Sequence, residues 1–321
     1  MDWSDTKPRE KDEGEQPFFS AIVTCHFEEK SIEEFFAKLS AALEGIGRPY
    51  EIIMANDGST DGTWTKLKDI FARDPNVRVV MDFFKNAGQQ AAVTACVREA
   101  RGQAIILMDS DLQFDPAELP LLVAEYDKGY DLVSGYRKNR RDSFTRILPS
   151  KLANIIMRKA SRSTMRDFGC TFKIYRASLL RGFHFNEFHI FSNVEAIAAL
   201  NRIVEVPVTH YPRKYGKSGW TFGKLWLYNM DNIMLLLQRP FQYLAGICML
   251  LSILFVLRVL TGFFVDVRIL SEVTNGLLLN ILVVVLLTLC GILAVIGEFC
   301  VRSHHRLQRS PGYVIRERLE R

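Results

Sequence analysis

Two aspartates separated by one residue, Asp109 and Asp111, directly follow an apolar run at 104–108. Carboxylate oxygens are preferred ligands of Mg²⁺ and Mn²⁺, and a cation held there could neutralise a leaving diphosphate. Chance gives roughly one such pair in a chain of ordinary composition, so the spacing alone is weak evidence. Its position is more specific, because the preceding run is typical of a buried parallel strand. Ligands of open α/β sheets lie beyond the carboxyl ends of such strands.

Two more polar side chains fit the same interpretation. Asp57 lies in a Gly-rich turn at 56–62, directly after a second predicted strand. Its carboxylate could accept hydrogen bonds from a nucleobase and from backbone amides, or it could simply stabilise an Asx turn or helix N-terminus. Gln113 follows Asp111 at the next alternate position, where it could add a carbonyl oxygen to a metal site or serve a structural role.

The elements that would position these residues alternate regularly along the chain. Apolar runs predict strands at 18–25, 51–54, 77–81, 104–108 and 132–135. Helical spacing of apolar residues predicts helices at 32–43, 64–71, 89–100 and 117–128. Such alternation predicts an α/β domain, at 17–215, with a mostly parallel sheet and helices on both faces.

A basic segment follows at 137–166. Apolar residues interrupt it throughout, and its acidic residue is Asp142. We interpret it as an amphipathic segment on an anionic membrane surface. A solvated basic face and nucleic-acid binding are the alternatives, but the net charge of +5 is modest and no nucleic-acid motif accompanies the segment. Its basic residues are Arg137, Lys138, Arg140, Arg141, Arg146, Lys151, Arg158, Lys159, Arg162 and Arg166.

Two long apolar segments predict a membrane module. Residues 241–257 carry no charge, the run continues after Arg258 to Val265, and residues 276–297 are also uncharged. Each is near the ~20 residues needed to cross a hydrocarbon core of ~30 Å. We predict a transmembrane hairpin at 240–300 after an aromatic interface helix at 216–239, with two buried core helices as the alternative.

The flanking charges predict the orientation of this hairpin. Lys and Arg are frequent before the first segment and after the second, whereas the connection holds only Arg268. The positive-inside rule therefore places both termini and the α/β domain at the cytoplasmic face of the inner membrane, with residues 266–275 outside. We predict a disordered tail at 1–16 and a basic cytoplasmic tail at 301–321.

Several motifs together resemble a known family, the GT-A-fold, family-two glycosyltransferases that act on polyisoprenyl phosphates. The resemblance extends from about residue 20 to the C-terminus and is greatest to the undecaprenyl-phosphate 4-deoxy-4-formamido-L-arabinose transferases. It rests on Asn-Asp-Gly-Ser-Thr-Asp at 56–61, Asn-Ala-Gly-Gln at 86–89, Asp-Ser-Asp-Leu-Gln at 109–113, Arg-Arg-Asp-Ser-Phe at 140–144, Asp-Phe-Gly-Cys at 167–170 and Arg-Lys-Tyr-Gly-Lys-Ser at 213–218.

The resemblance implies a metal-dependent, inverting transfer of a sugar from a nucleotide, with UDP preferred, to a polyprenyl (undecaprenyl) phosphate. Expected partners are the donor, the lipid acceptor and membrane lipids, without nucleic acid, and a homo-oligomer is possible. Transfer to another membrane lipid and a non-catalytic membrane scaffold of the same fold are the alternatives. The Gln-x-x-Arg-Trp motif of processive polysaccharide synthases is absent from the sequence.

The resemblance also implies roles for individual side chains. The acceptor phosphate is already largely ionised at pH 7, so a general base is less necessary, and we favour a positioning role for Asp167 over proton transfer. The implied residues are Asp57, Gly88, Asp109, Gln113, Lys217 and Ser218 for the donor; Asp109, Asp111 and Gln113 for Mg²⁺ or Mn²⁺; Arg137, Arg146 and Ser150 for the acceptor phosphate; and Asp111 and Asp167 for catalysis.

Two departures from the family pattern lie at the nucleotide end of the expected site. Asn56 stands where the family usually has the first acid of an Asp-Asp-Gly-Ser turn. Residues 24–29 replace the usual Pro-x-Tyr-Asn-Glu sequence after the first strand. Both changes leave the identity of the base and of the sugar open.

Overall fold

The computed structural model describes residues 16–137, 163–215 and 311–321, with a few isolated helical positions at 157, 158, 161, 223 and between 285 and 303. The predicted N-terminal tail, most of the basic segment, the interface helix and most of the hairpin therefore lie outside the described residues. Among the residues that are described, no helix is both long enough and apolar enough to span a membrane.

An eight-stranded sheet organises the described part of the chain. Its spatial order is β7-β5-β6-β4-β1-β2-β3-β8. Neighbouring strands pair in parallel except at β6, which is antiparallel to β4 and β5, and at β8, which is antiparallel to β3. The strands are β1 Phe19–Cys25, β2 Tyr50–Asn56, β3 Val77–Phe83, β4 Ala104–Asp109, β5 Leu132–Arg137, β6 Lys173–Arg176, β7 Ile203–Val208 and β8 Ile315–Glu320.

Helices cover both faces of this sheet. They are α1 Ile32–Ile46, α2 Thr63–Arg73, α3 Gln89–Glu99, α4 Leu119–Tyr126, α5 Ala177–Gly182 and α6 Asn193–Ala198. The first of them shows why the sequence folds this way, because α1 buries Ile32, Phe35, Phe36, Leu39 and Leu43 along one stripe. It ends at Gly47, whose positive φ of 71° forms the left-handed cap that glycine favours.

Alternating strand residues divide the core into two layers. Val23, Met54 and Ile106 belong to the cluster on one face of the sheet, which also contains α1, α2 and α4 residues. Ile22, Ile53 and Ile105 belong to the other cluster, with α3, α5 and α6 residues. Strands buried on both faces explain the continuous apolar runs, since successive side chains point to opposite layers.

The structure confirms the predicted α/β fold and its first five strands and four helices, with bounds that differ by at most three residues. The strands β6, β7 and β8 are not predicted by the local sequence pattern. The expected tail at 301–321 is corrected in its last part, because 315–320 forms an edge strand whose backbone pairs with β3. The chain divides into two compact units, Met1–Leu236 together with Pro311–Arg321, and Leu237–Ser310.

Candidate active site

The carboxyl ends of β1, β2 and β4 meet at one edge of the sheet. Thr24 of β1 lies beside Asp109, and Cys25 lies beside Asn56. The turns that follow β2 and β4 therefore bring Asp57, Asp109 and Asp111 to the edge at which ligands of open α/β sheets bind. Ser110 links the turn after β4 to β1 at this edge, because its hydroxyl donates to the Thr24 carbonyl at 3.0 Å.

Asp109 is held by side chains from two distant parts of the chain. One carboxylate oxygen accepts a hydrogen bond from Gln89 Nε2, and the other accepts from Thr171 Oγ1 at 2.8 Å. Burial, followed by the charge of Asp111, nevertheless raises the pKa of Asp109 to about 7. The two carboxylates thus concentrate negative charge that the surrounding hydrogen bonds do not fully compensate.

Asp111 is buried and anchors a different segment. Its Oδ2 accepts from Arg213 Nη2 at 2.8 Å, and its Oδ1 accepts from the Gln113 amide at 3.1 Å. The Gln113 carbonyl in turn accepts from the Tyr211 amide at 2.9 Å. Leu112, directly after Asp111, has a φ of +59°, which is an unusual backbone conformation for a residue with a bulky side chain. Such outliers cluster at ligand sites.

Glu28 extends the acidic character of the site. Burial raises its pKa, a hydrogen bond from Ser31 lowers it, and the negative charge of Asp111 raises it further. The positive charge of Arg213 lowers the pKa of both Glu28 and Asp109 and so partly offsets these effects. The described part of the site therefore combines several carboxylates with Arg213, which suits a ligand that brings both a cation and phosphate groups.

The donor set fits Mg²⁺ or Mn²⁺. These cations are usually bound through one or two carboxylates together with substrate phosphates, rather than in an all-protein cage. Within the described ranges, no three His, Cys, Asp or Glu side chains are grouped so that they could hold a metal by themselves. Asp109 and Asp111 therefore suit a cation that is shared with a diphosphate. A metal-ligand role for Gln113 stays a prediction, since its described contacts are made by the backbone.

The Asp57 carboxylate accepts hydrogen bonds from other parts of the protein. Oδ1 accepts from the Ala87 amide at 2.6 Å, and Oδ2 accepts from the Gly88 amide and from Asn86 Nδ2, both at 3.0 Å. These contacts join the turn after β2 to the loop that begins α3, as in the turn-stabilising alternative. Burial raises the pKa of Asp57 in spite of these donors. Direct contact of Asp57 with a nucleobase stays a prediction.

Gly58 explains how closely these two loops approach. Its φ is +64°, and a Cβ at this position would collide with the backbone of Lys85 and Asn86. Glycine is therefore required both for the left-handed conformation and for the contact. The glycine in the Asn-Asp-Gly-Ser turn thus keeps the Asp57 carboxylate within reach of the 86–88 amides.

Asp167 and Arg137 form a second charged centre. Arg137 Nε and Nη2 each donate to a different carboxylate oxygen of Asp167 at 2.7 Å, with both side chains largely buried. Burial would raise the pKa of Asp167, but the hydrogen bonds and charge of Arg137 outweigh it, so that the pKa is lowered. Gly169 leaves room for the pair, because a Cβ there would lie 3.2 Å from Arg137 Nη2.

This pairing bears on the predicted roles of both residues. Asp167 is an ionised carboxylate bound to a guanidinium, which favours the positioning role over proton transfer. Arg137, predicted to bind the acceptor phosphate, is held by Asp167 in the structure. Arg146, Ser150, Lys217 and Ser218 lie outside the described residues, so their predicted roles stay predictions.

Three contributors were missed by the sequence analysis as individual site residues: Gln89, Thr171 and Arg213. Gln89 and Arg213 lie within motifs that carry the resemblance, and Thr171 directly follows the Asp-Phe-Gly-Cys motif. That proximity is a signal in the sequence. Their partners are 20, 62 and 102 residues away along the chain, however, and only the fold identifies them.

Comparison with known proteins gives a consistent result. The sequence profile of glycosyl transferase family 2 matches residues 20–183. Dodecaprenyl-phosphate galacturonate synthase of Rhizobium johnstonii is 30% identical over 93% of this chain and 92% of its own length. Undecaprenyl-phosphate 4-deoxy-4-formamido-L-arabinose transferase of Edwardsiella ictaluri is 33% identical over 71% of this chain and 70% of its own.

Solved structures show the same fold. Glucosyl-3-phosphoglycerate synthase from Mycobacterium tuberculosis, in complex with Mn²⁺, uridine diphosphate and glucosyl-3-phosphoglycerate, superposes with a TM-score of 0.52. The match covers 70% of this chain and 80% of that chain at 17% identity. The complex of the same synthase with phosphoglyceric acid gives 0.52 at 18% identity, over the same shares of the two chains. These likenesses concern the fold alone.

Proposed function

The chain belongs to glycosyl transferase family 2, and we propose that this glycosyltransferase moves a sugar from a nucleotide sugar to a polyprenyl phosphate. The observation that carries the proposal is the Asp109 and Asp111 pair at the carboxyl end of β4, with Arg213 beside it. The acceptor class is supported by the two relatives named for polyprenyl-phosphate sugars. We prefer UDP as the nucleotide, as in the structural neighbour that binds Mn²⁺ and uridine diphosphate.

The acidic pair serves the leaving group in this proposal. Asp109 and Asp111 would hold Mg²⁺ or Mn²⁺, which when bound supplies Lewis-acid stabilisation of the departing diphosphate. Arg213 lies at the same pair and can share the diphosphate charge through its planar guanidinium. Thr171 and Gln89 keep the Asp109 carboxylate in one orientation through their hydrogen bonds.

The transfer itself is a single displacement. An oxygen of the lipid phosphate attacks the anomeric carbon, and the bond from that carbon to the nucleotide diphosphate breaks. The products are a nucleotide diphosphate and a lipid-phosphate sugar with inverted anomeric configuration. Because the acceptor phosphate is largely dianionic at pH 7, no side chain has to remove a proton from it. Asp167 instead fixes the guanidinium of Arg137.

We place the reaction at the cytoplasmic face of the inner membrane, on the charge pattern that flanks the predicted hairpin. A Ser271→Cys variant in an otherwise cysteine-free chain should be labelled by an impermeant maleimide added outside intact cells. A Lys128→Cys variant in the same background places the cysteine on the exposed surface of the α/β domain and should be labelled only after permeabilisation. Labelling of Ser271→Cys that also required permeabilisation would contradict this orientation.

The decisive experiment is the mass of the lipid product. Purified full-length protein would be incubated with undecaprenyl phosphate, Mn²⁺ and each of a panel of UDP- and GDP-sugars. We expect one donor to yield a lipid-phosphate sugar and an equal amount of nucleotide diphosphate, and we expect EDTA or Asp111→Asn to abolish both. Sugar transfer to lipids that lack a phosphate, with none to undecaprenyl phosphate, would overturn the proposed acceptor.

A further inference from the structure

The C-terminal strand β8 reaches the nucleotide end of the site. It pairs with β3 in antiparallel fashion, so its first residues lie beside the carboxyl end of β3, with Ile315 paired to Phe83. The carboxyl ends of β2 and β3 are neighbours, and Asn56 pairs with Asp82. Residues near 315 are therefore brought to the same sheet edge as the Asn56 and Asp57 turn.

Asn56 is the residue that departs from the family pattern, and the structure shows its partner. Its Nδ2 donates to Asp82 Oδ1 at 2.7 Å, and both side chains are fully buried. An aspartate at position 56 would place two buried carboxylates at hydrogen-bonding distance, which repel unless one is protonated. Asparagine is therefore the residue that tolerates Asp82. Its Oδ1 is buried and has no hydrogen-bond partner among the described residues.

Arg316 of β8 forms an ion pair with the buried Asp82 carboxylate. Its Nη1 lies 3.3 Å from Asp82 Oδ2, and its Nη2 donates to the Phe84 carbonyl at 2.8 Å. The guanidinium also lies 5.5 Å from the centre of the Phe84 ring. The Phe84 amide donates to the Val314 carbonyl at 3.1 Å. Arg316 and its strand thus hold Asp82 and the first residue after β3 in one arrangement.

The residue after β3 leads directly into the loop that binds Asp57. Asn86, Ala87 and Gly88 donate to the Asp57 carboxylate, and the backbone before them packs against Gly58. Contacts therefore run from Arg316 through Asp82 to Asn56, and from Arg316 through Phe84 to the Asp57 turn. Both routes end at the edge where the proposed donor's nucleotide would bind.

We propose that Arg316 is a positioning residue for the nucleotide of the sugar donor, so that β8 is part of the donor site. By pairing with Asp82 and with the Phe84 carbonyl, it fixes the end of β2 at Asn56 and the backbone after β3 that holds the Asp57 turn, and both lie at the edge where the nucleotide would bind. The inference rests on the proposed function, because it needs a nucleotide donor. It also explains why Asn56 can replace an acid at this turn.

The test compares two arginines of the same strand. Full-length Arg316→Ala, Arg316→Lys and the control Arg318→Ala would each be titrated with UDP in Mn²⁺ and assayed for donor and acceptor KM. Arg318 pairs with Glu99 and Glu320 and is bonded to neither Asp82 nor Phe84. We expect Arg316→Ala to weaken UDP binding and raise donor KM about fivefold. Arg316→Lys should recover part of this, and acceptor KM should not change.

The control separates positioning from stability. Arg318→Ala should lower Tm at least as much as Arg316→Ala and leave UDP affinity unchanged. Equal UDP affinity for Arg316→Ala and the wild type would overturn the inference. If the wild type binds neither UDP nor GDP in Mn²⁺, the proposed function fails instead, so the two failures are distinguishable.

A charge exchange tests the Asn56 and Asp82 contact directly. Asn56→Asp should weaken UDP binding about tenfold, since it opposes two carboxylates. The double variant Asn56→Asp with Asp82→Asn removes the repulsion between the two carboxylates but also the carboxylate that Arg316 binds, so affinity should recover only to about that of Arg316→Ala. A double variant no better than Asn56→Asp alone would show that the contact does not set nucleotide binding.

Discussion

Two charged centres in this domain use the same chemical group in opposite ways. At the end of β4, Asp109 and Asp111 lie close together, and burial and mutual repulsion raise the pKa of Asp109 to about 7. After β5, Asp167 meets Arg137 through two parallel hydrogen bonds, and the pKa of the carboxyl is lowered. The first centre carries negative charge that its partners do not balance, and the second is neutralised internally.

The difference indicates what each centre can do. A concentration of unbalanced carboxylates is costly for the folded protein, and it is repaid when a cation or a cationic complex binds. A carboxylate with a bidentate arginine gains little from a further ligand, but it fixes the guanidinium in space. Thr171 connects the centres, because it bonds to Asp109 and lies four residues after Asp167.

The largest effect should come from removing charge at the acidic pair. Asp109→Asn or Asp111→Asn should lower turnover by at least about 10²-fold, since electrostatic stabilisation of the leaving group is lost. Initial rates in Mg²⁺ and in Mn²⁺, with Tm as a check of folding, measure this. Near-normal turnover in either metal would show that the pair does not hold the cation.

Replacing Asp167, the partner of Arg137 at the second centre, should mainly lower the stability of the folded protein. Asp167→Ala leaves the largely buried guanidinium of Arg137 unpaired and should cost about 3 kcal/mol of unfolding free energy. Asp167→Asn retains the shape and should lower turnover only about tenfold, much less than the 10²- to 10⁴-fold range of a lost general base. Denaturation curves and rates at several pH values measure both. A 10³-fold loss with Asp167→Asn would restore the base hypothesis.

Acidification should distinguish the two centres. Protonated Asp109 cannot bind a cation, so with a pKa of about 7 the Mn²⁺ affinity should fall about tenfold from pH 8 to pH 6. Asp167 stays ionised over this range, because its pKa is lowered from an already acidic value. Mn²⁺ binding measured by electron paramagnetic resonance would therefore keep the same pH dependence in Asp167→Asn. A pH-independent affinity in the wild type contradicts the raised pKa.

The smallest effect on turnover is expected for substitutions of Thr171, which connects the two centres. Thr171→Val removes one hydrogen bond to Asp109 and should lower turnover about fivefold, as one hydrogen bond of about 1 kcal/mol predicts. Thr171→Ser keeps the hydroxyl and should stay close to the wild type. Equal turnover for the valine and serine variants would mean that Asp109 needs no orientation from this side.

Much of the framework could be predicted from local patterns. The first five strands and four helices follow from apolar periodicity, because each buries a face whose spacing is visible within about ten residues. The position of the acidic pair followed as well, since a carboxylate after a buried strand lies at the ligand edge of a parallel sheet. These features require no knowledge of which distant segments meet.

The unpredicted strands lack such local patterns. The strand β6 has only four residues and contains the fully buried Lys173, so it does not show an apolar run. The strand β8 lies at the edge of the sheet and four of its six residues are charged, so its sequence, Ile-Arg-Glu-Arg-Leu-Glu, fits a polar tail equally well. Its structure depends on pairing with β3, more than 200 residues earlier.

The sequence by itself determined the fold class, the order of the first nine elements and the family to which the chain belongs. The tertiary structure decided which charges meet: Arg137 with Asp167, Arg213 with Asp111, and Arg316 with Asp82. The reason is physical, since periodicity is a property of neighbouring residues, whereas an ion pair depends on the sheet order that brings distant segments together. The sequence could therefore suggest a positioning role for Asp167, but only the fold shows that the residue it positions is Arg137.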